Sequence, residues 1–147
     1  MARSRRPYGG ATFIADTSAW AWSSNPRVRG HFAAATRRGQ IATCPIVKLE
    51  LLNSARDASH YDAIAADLAQ LRDVPITRSV TNTALRAQQE LAHVHPLYHR
   101  SVKLPDLLIA AAAEDAGVGV LHYDEDYDTL ATVLNFESRW IARRGSL

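Results

Sequence analysis

Residues 104–128, LPDLLIAAAAEDAGVGVLHYDEDYD, restrict what this chain can fold into more than any other segment. The apolar, alanine-rich stretch over 106–116 predicts a buried helix. Gly117 is expected to stop it, because glycine readily adopts the left-handed conformation in which helices end. Pro105 suits the first turn, where its missing N–H leaves no hydrogen bond unmade. The apolar run over 118–123 then predicts a strand, so a buried helix leads directly into a buried strand.

Strands and helices alternate along the rest of the chain as well. Apolar runs predict further strands over residues 12–15, 41–44, 74–76 and 138–142. Apolar spacing at i, i+3 and i+4, with start and stop residues, predicts helices over 28–38, 46–56, 59–72, 79–93 and 127–133. Residues 95–102 are predicted to form a polar, aromatic loop. Because this alternation is typical of a mostly parallel sheet covered on both faces, we expect a three-layer α/β/α sandwich.

Length and composition favour one domain without membrane contact. A chain of 147 residues can bury a sizeable core. No apolar run approaches the ~20 residues that a membrane-spanning helix needs, and the basic start MARSRRPYGG lacks the apolar region of a secretion signal. The single Cys44 excludes an internal disulfide and favours the cytoplasm. We expect a flexible basic extension over 1–10 and a single domain over 11–147.

Several acidic side chains stand at the ends of predicted buried elements, either after a strand or in the first turns of a helix. They are Asp16, Glu50, Asp106, Asp124 and Asp126. The carboxyl ends of parallel strands meet at one edge of a sheet, and the ligand crevice of such folds lies there. We therefore expect these acids, which are far apart in sequence, to converge in one crevice.

Converging carboxylates repel one another and stay ionised only when a cation lies among them. All-oxygen ligand sets suit Mg²⁺ and Mn²⁺. A metal bound in this way can polarise a phosphodiester and lower the pKa of a bound water. Zinc is disfavoured because the acids are accompanied by no cysteine pair or spaced histidine pair. The sequence therefore predicts a hard-metal site.

Each acid also has a purely structural interpretation. Asp16 is equally suited to cap the helix that follows it, and Asp106 is suited to the positive end of its own helix. Glu50 is flanked by leucines in an apparent apolar stripe, where an unpaired charge would be costly, so its structural interpretation is weaker. Asp128 is interpreted as the cap of the short helix over 127–133 and is excluded from the site.

With these residues assembled, the chain resembles the PIN-domain ribonucleases, and among them the VapC-like toxins of bacterial toxin–antitoxin pairs. The matching motifs are IADTSAW, KLELLNSAR, PDLLIAAAAEDAG and VLHYDEDYDTLA, which follow the family's order and spacing over most of the chain. The stretch HRSVKLPDL also resembles a subgroup of these toxins. One departure is the extension before Asp16, which is longer than the family usually has.

The resemblance implies a PIN-like fold and an endoribonuclease that uses Mg²⁺, or Mn²⁺, to activate water against RNA. It assigns catalysis to Asp16, Glu50, Asp106 and Asp124, and metal binding to Asp16, Asp106, Asp124 and Asp126. Asp16 and Asp106 are expected to touch the metal most directly, and Glu50 to orient water or act as a base. The implied partners are a cognate VapB-like antitoxin and a second copy of the chain in a homodimer.

Three further residues are candidates for binding the substrate. Arg100 suits contact with a phosphate or, alternatively, a loop ion pair with a nearby acid. The hydroxyls of Thr17 and Ser18 suit a metal-bound water or, equally, a helix cap. Trp20 and Trp22 are interpreted as packing residues, either against a partner helix or at a dimer interface, rather than as platforms for RNA bases.

Other functions fit the residues less well. A non-catalytic PIN-type RNA-binding or scaffold module is the main alternative, which the complete set of acids disfavours. A haloacid-dehalogenase-like phosphatase would need a second aspartate two residues after Asp16, where Ser18 stands instead. His122, at the end of a predicted strand, is expected to be buried and hydrogen-bonded rather than catalytic.

Overall fold

The computed structural model describes residues 8–147, which form five strands and seven helices. The strands are β1 (Phe13–Ala15), β2 (Ile41–Thr43), β3 (Arg72–Asp73), β4 (Gly119–His122) and β5 (Ser138–Trp140). The helices are α1 (Thr17–Trp22), α2 (Arg29–Arg37), α3 (Pro45–Asn53), α4 (Ala58–Leu68), α5 (Arg78–Val94), α6 (Leu104–Ala116) and α7 (Asp126–Leu130). A 3₁₀ turn (Tyr98–Ser101) lies within the predicted loop before α6.

The strands form one sheet in the order β3-β2-β1-β4-β5, and every pairing is parallel. From β1 the chain moves outward to β2 and β3, then crosses back to β4 and β5 on the other side. The direction of winding therefore reverses between β1 and β4, and such a switch point opens a crevice at the carboxyl edge of the sheet. The mostly parallel sheet predicted from the sequence is confirmed.

Helices cover both faces of the sheet. Successive side chains of a strand point to opposite faces, and in β1 Ile14 belongs to one core while Phe13 and Ala15 belong to the other. The Ile14 core includes Ala110 of α6 and further side chains of α3 and α5. The second core includes Phe32 of α2. The predicted three-layer α/β/α sandwich is therefore confirmed.

Helix α6 is the central helix of the larger core. Residues 109–113 are fully buried, and α6 contacts α5 on one side and β1 and β4 on the other. Alanine side chains allow this close approach to both neighbours. Pro105 lies in the first turn, and Gly117 ends the helix with φ 67° while its N–H donates to the carbonyls of Ala113 and Glu114. The predicted stop at Gly117 is confirmed, whereas the helix begins at Leu104, two residues earlier than predicted.

The third strand lies earlier in the chain than predicted. The sequence analysis placed it at 74–76 and extended the preceding helix to residue 72, but α4 ends at Leu68 and β3 consists of Arg72 and Asp73. Val74 is buried and donates its N–H to the carbonyl of Thr43, which explains the apolar pattern. Pro75 has no N–H to offer, so the pairing cannot continue through the predicted segment.

The packed structure includes residues that precede the predicted domain boundary at residue 11. Of the extension predicted over 1–10, residues 1–7 lie outside the described residues. Tyr8 is buried, and its ring meets the ring of Phe13 edge-on with centroids 5.8 Å apart. The carbonyl of Gly9 accepts a hydrogen bond from Nε2 of Gln40 at 3.0 Å. Over residues 8–147, no helix combines the length and apolarity needed to cross a bilayer.

Candidate metal centre

The elements bring four of the predicted acids to the switch point between β1 and β4. Asp16 directly follows β1, and its N–H donates to the carbonyl of Leu121 at 2.9 Å, which extends the β1–β4 pairing by one residue. Asp124 lies two residues after β4, and Asp126 begins α7. Asp106 lies in the first turn of α6. The side chains therefore meet at the carboxyl edge of the sheet, where the sequence analysis expected them.

Three of these acids form a tight group. Asp106, Asp124 and Asp126 each place one carboxylate oxygen within 4.8 Å of the others. Asp106 is 5% exposed, whereas Asp124 is partly exposed at the mouth of the group. This all-oxygen set fits a hard divalent cation, which takes a few carboxylate ligands and keeps several waters. We call Asp106, Asp124 and Asp126 the acidic trio.

The sequence analysis missed Lys103, whose ammonium lies on the acidic trio. Its Nζ is 2.8 Å from Oδ2 of Asp124, 3.1 Å from Oδ2 of Asp126 and 3.5 Å from Oδ2 of Asp106. Hydrogen bonding to Asp124, followed by the other acids, raises the pKa of Lys103, so the side chain stays charged. The i, i+3 spacing to Asp106 was the signal in the sequence. Because a lysine at the exposed end of a helix is usually solvated, the i, i+3 spacing did not by itself indicate a contact between Lys103 and Asp106.

The trio does not carry its full negative charge by itself. Burial, with contributions from the Asp16 carboxylate and a hydrogen bond to Asp126, raises the pKa of Asp106 to about 8. Burial also acts to raise the pKa of Asp126, but hydrogen bonds from the Lys103 N–H, Asp106 and the Lys103 ammonium outweigh it and lower that pKa. Asp106 therefore holds a proton more readily than a free aspartate does, and a divalent cation would favour its ionised form.

Asp16 is both a helix cap and a neighbour of the trio. Its Oδ2 accepts hydrogen bonds from the N–H and the hydroxyl of Ser18, at 3.0 and 2.6 Å, which caps α1. Its Oδ1 accepts from the hydroxyl of Tyr127 at 2.7 Å, and the same hydroxyl lies 3.2 Å from Oδ1 of Asp106. The two predicted interpretations of Asp16 therefore do not exclude each other.

Tyr127 joins Asp16 to the trio and was also missed. Its ring is fully buried, and burial raises the pKa of the phenol well above its ordinary value, so the hydroxyl stays neutral. A phenol has one proton, which it donates to Asp16 along the shorter contact. The same proton faces Oδ1 of Asp106 at the longer distance, which makes that contact the weaker part of a shared hydrogen bond. The predicted helix start at 127 gave no indication that this side chain turns toward the acids.

Glu50 lies at the margin of the site. Partial burial and the Asp16 carboxylate raise the pKa of Glu50, whereas the Thr17 hydroxyl lowers it, so this acid is close to Asp16 but outside the trio. The apolar stripe proposed around it is wrong, because Glu50 is on the exposed side of α3 and Leu49 is 65% exposed. Adjacent leucines point in different directions around a helix and do not form one face.

The three candidate substrate-binding residues occupy different environments. The Ser18 hydroxyl donates to Asp16 and accepts from the N–H of Tyr123 at 2.9 Å, so it links α1 to the loop after β4. The Thr17 hydroxyl is buried and faces Glu50. Arg100 is exposed on the 3₁₀ turn, and the alternative loop ion pair is not formed with any acid among residues 8–147.

A buried histidine orients the loop that carries Asp124. The N–H of Asp124 donates to Nδ1 of His122 at 3.1 Å, and Nε2 of His122 lies 2.7 Å from the hydroxyl of Ser138. Burial lowers the pKa of His122 to about 4, so the ring is neutral, and because Nδ1 accepts, the proton is on Nε2. The prediction of a buried, hydrogen-bonded His122 is confirmed.

Asp128 was predicted to cap the last helix, and this prediction is wrong. Asp128 lies inside α7, whose N-cap residue is Glu125. Its carboxylate accepts from the Ser138 hydroxyl at 2.7 Å and from Nε1 of Trp140 at 2.9 Å. The side chain is therefore engaged by β5, because α7 packs beside that strand. Its exclusion from the acidic trio agrees with the structure.

The sequence and the fold are both similar to those of known proteins. The family model of the PIN domain matches residues 13–133. The chain is 46% identical over 135 residues to Ribonuclease VapC18 of Mycobacterium tuberculosis, which covers 92% of this chain and 98% of that protein. It is 35% identical to Ribonuclease VapC51 of the same organism, over 92% of this chain and 96% of that protein.

Two solved structures share the fold. The chain superposes on DNA-bound VapBC from Salmonella typhimurium with a TM-score of 0.71 and 15% identity, over 90% of this chain and 99% of that one. It superposes on VapBC-5 from Mycobacterium tuberculosis with a TM-score of 0.64 and 20% identity, over 88% and 98%. The chain belongs to the PIN-domain family and, within it, to the VapC ribonucleases.

Proposed function

We propose that this VapC ribonuclease is the toxin of a toxin–antitoxin pair and cleaves RNA internally with water activated by Mg²⁺, or by Mn²⁺ in its place. The observation that carries the proposal is the acidic trio, whose three carboxylate oxygens lie within 4.8 Å of one another at the β1–β4 switch point. The identity to Ribonuclease VapC18 over nearly its whole length supports the same chemistry. We further propose that the chain acts in the cytoplasm, in accordance with its single, unpaired cysteine.

The residues of the site divide into ligands and supporting groups. We assign metal binding to Asp106, Asp124 and Asp126. Asp16 is either a further ligand or a neighbouring charge that raises the pKa of Asp106. A divalent cation bound there lowers the pKa of a coordinated water and polarises the scissile phosphate. Glu50, whose pKa is raised by partial burial and by the Asp16 carboxylate, is assigned the role of accepting a proton from the attacking water.

Contacts with the RNA are assigned to the rim of the site. The exposed Arg100 is free of ion pairs with acids among residues 8–147 and is suited to a phosphate oxygen. The Ser18 hydroxyl is engaged by Asp16 and Tyr123, so its contribution is to hold Asp16 rather than to bind substrate directly. The buried Thr17 hydroxyl faces Glu50 and lowers its pKa, so its proposed contribution is to favour the ionised form of Glu50.

Cleavage of RNA by matched variants tests this function. Wild type, Asp106→Asn and Asp115→Asn are incubated with a structured RNA and millimolar Mg²⁺. Asp115 lies in the last turn of the same helix, where it accepts hydrogen bonds from Ser79 and Thr83. Wild type and Asp115→Asn are expected to cleave, whereas Asp106→Asn loses about 100-fold in rate, a change of ~2.7 kcal/mol, and EDTA abolishes cleavage. Equal cleavage by Asp106→Asn would instead leave the alternative of a non-catalytic PIN-type RNA-binding or scaffold module.

We propose two protein partners. We assign the VapB-like antitoxin to the surface between α3 and α4, where Leu49 and Tyr61 are exposed. The solved neighbours described as VapBC complexes support such a partner.

The second partner is another copy of the chain. We assign the homodimer contact to the apolar groove between α5 and α6, where Leu85 and Leu104 are 64% and 61% exposed. Light scattering of the chain alone and with the small protein encoded beside it tests both, with Leu85→Arg expected to give a monomer and Leu49→Arg to lose the antitoxin.

A further inference from the structure

Lys103 supplies the acidic trio with a cation that belongs to the chain. Its Nζ lies within 2.8–3.5 Å of one oxygen of each of the three carboxylates. Its backbone N–H also donates to Oδ2 of Asp126 at 3.1 Å. The backbone of Lys103 is therefore fixed on the trio at the start of α6, while its ammonium occupies the space between the carboxylates.

The Lys103 side chain is held by charge rather than by enclosure. It is 64% exposed, in contrast to the buried carboxylate of Asp106 that it faces. A lysine side chain is flexible and its ammonium is strongly hydrated, so it can leave for solvent without disturbing the core. Exposed ion pairs of this kind are individually weak. The ammonium is consequently a cation that a divalent ion can replace.

We propose that Lys103 is a displaceable counter-ion, which competes with the divalent metal for the acidic trio and, once displaced, binds a phosphate of the RNA. The proposal rests on the metal site assigned above. A displaced ammonium stays tethered at the mouth of the crevice, because the Lys103 backbone remains at the start of α6. The ammonium then attracts a polyanion to the position at which a metal-bound phosphate would lie. Metal and RNA should therefore bind cooperatively, each favouring the state in which Lys103 has left the trio.

Competition is tested by titrating Mn²⁺ at fixed pH and counting the free ion by electron paramagnetic resonance. Lys103→Met should bind Mn²⁺ about tenfold more tightly than wild type, because the competing charge is gone. Lys48→Met removes the same charge from an ion pair with Asp73 at the β3 edge and should stay within about twofold of wild type. Lys103→Arg, which keeps the charge, should resemble wild type.

Several outcomes would overturn the proposal. Equal or weaker binding of Mn²⁺ by Lys103→Met, with an unchanged circular dichroism spectrum, would show that Lys103 does not compete. Equally tighter Mn²⁺ binding by Lys48→Met would show that removal of any positive charge from the protein strengthens metal binding. Equal binding by wild type and Asp106→Asn would contradict the metal site itself, which distinguishes failure of the proposed function from failure of the Lys103 proposal.

The coupling to RNA is tested with a 2′-O-methyl oligonucleotide, whose integrity is checked by gel electrophoresis after the titration. The oligonucleotide should tighten Mn²⁺ binding by wild type by about fivefold or more, a coupling of ~1 kcal/mol. In Lys103→Met this gain should shrink to the part that direct contact between phosphate and metal supplies, since no ammonium is left to transfer. Equal coupling in both proteins would show that the displaced Lys103 does not bind the phosphate.

Discussion

Single buried side chains influence the charge of the acidic trio and of Asp16 beside it, and Tyr127 is the clearest case. Its neutral hydroxyl contacts oxygens of Asp16 and Asp106, at 2.7 and 3.2 Å, within the protein interior. Two carboxyl groups in such an environment need a proton or a donor between them. Tyr127 supplies the donor and fixes the direction in which both acids point. It is a positioning residue, because it acts through the acids rather than on the substrate.

Replacement of Tyr127 by phenylalanine should therefore destabilise the metal-free protein. Loss of the buried hydroxyl leaves an Asp16 oxygen without its donor, at a cost of about 1–3 kcal/mol. Urea unfolding in EDTA measures the effect, and Tyr61→Phe, on the exposed side of α4, is the matched control with an expected change near zero. A Tyr127→Phe protein as stable as wild type would show that the hydroxyl contributes nothing to the arrangement of the acids.

His122 predicts a specific dependence of stability on pH. Burial lowers its pKa to about 4 in the folded protein, against about 6.5 in an unfolded chain. The folded state thus binds the proton less readily, so the contribution of His122 is complete above pH 6.5 and is lost as the pH falls toward 4. The loss amounts to about 3 kcal/mol. In His122→Gln, the free energy of unfolding should fall less between pH 6.5 and 4.5, whereas parallel curves would contradict a buried neutral histidine.

The residues of the site could be predicted from the sequence only in part. Asp16, Asp106, Asp124 and Asp126 each adjoin a strongly patterned strand or helix, so the topology of the sheet placed them at one edge before the structure was known. Lys103 and Tyr127 could not be placed in the same way. Their roles depend on the direction of one side chain across 21–23 or 111 residues of sequence, and no local pattern specifies such a direction.

Strand β4 brings Asp124 to the carboxyl edge of the sheet. Its first residue, Gly119, lies at the opposite end of the strand and is tightly packed. A Cβ on Gly119 would lie 2.6 Å from two ring atoms of Phe13 and 2.9 Å from the carbonyl oxygen of Glu137. Neither the neighbouring backbone nor the buried ring can move easily in a dense interior. The absence of a side chain at residue 119 is therefore what lets β4 lie between β1 and β5.

Substitution of Gly119 by alanine should destabilise the fold by about 1–3 kcal/mol, as overpacking of a core does. Gly30→Ala in α2 is the matched control, because no atom lies within 4 Å of a Cβ there, and alanine favours a helix over glycine by roughly 0.8–1.0 kcal/mol. Thermal unfolding of both proteins should give shifts of opposite sign. A stabilised Gly119→Ala protein would contradict the close approach of Phe13.

Elements with a strong apolar pattern were predicted correctly in kind and order, and β3 shows why one was displaced. Its two residues, Arg72 and Asp73, are exposed and pair with β2 at the margin of the sheet. Such a short polar strand has no apolar alternation, and its formation depends on β2 being present beside it. The buried Val74 supplied the apolar pattern, so the strand was predicted to begin two residues after its actual start.

The whole molecule combines the PIN-domain fold with a lysine ammonium placed among the acids of the crevice. The order β3-β2-β1-β4-β5 creates a crevice, and α6, the loop after β4 and α7 each bring one acid of the trio to it. The core that surrounds the crevice depends on burial of apolar side chains and does not require the metal. Metal binding should therefore change local charge and stability rather than create the fold.

The position of the metal tests the account most directly. Crystals grown with Mn²⁺ and measured at an anomalous wavelength would locate the ion without any knowledge of the RNA target. We predict one anomalous peak roughly 2 Å from carboxylate oxygens of Asp106, Asp124 and Asp126, with the Lys103 ammonium turned out of the trio. A peak at another group of side chains, or a fully occupied ion with Lys103 still among the three carboxylates, would contradict it.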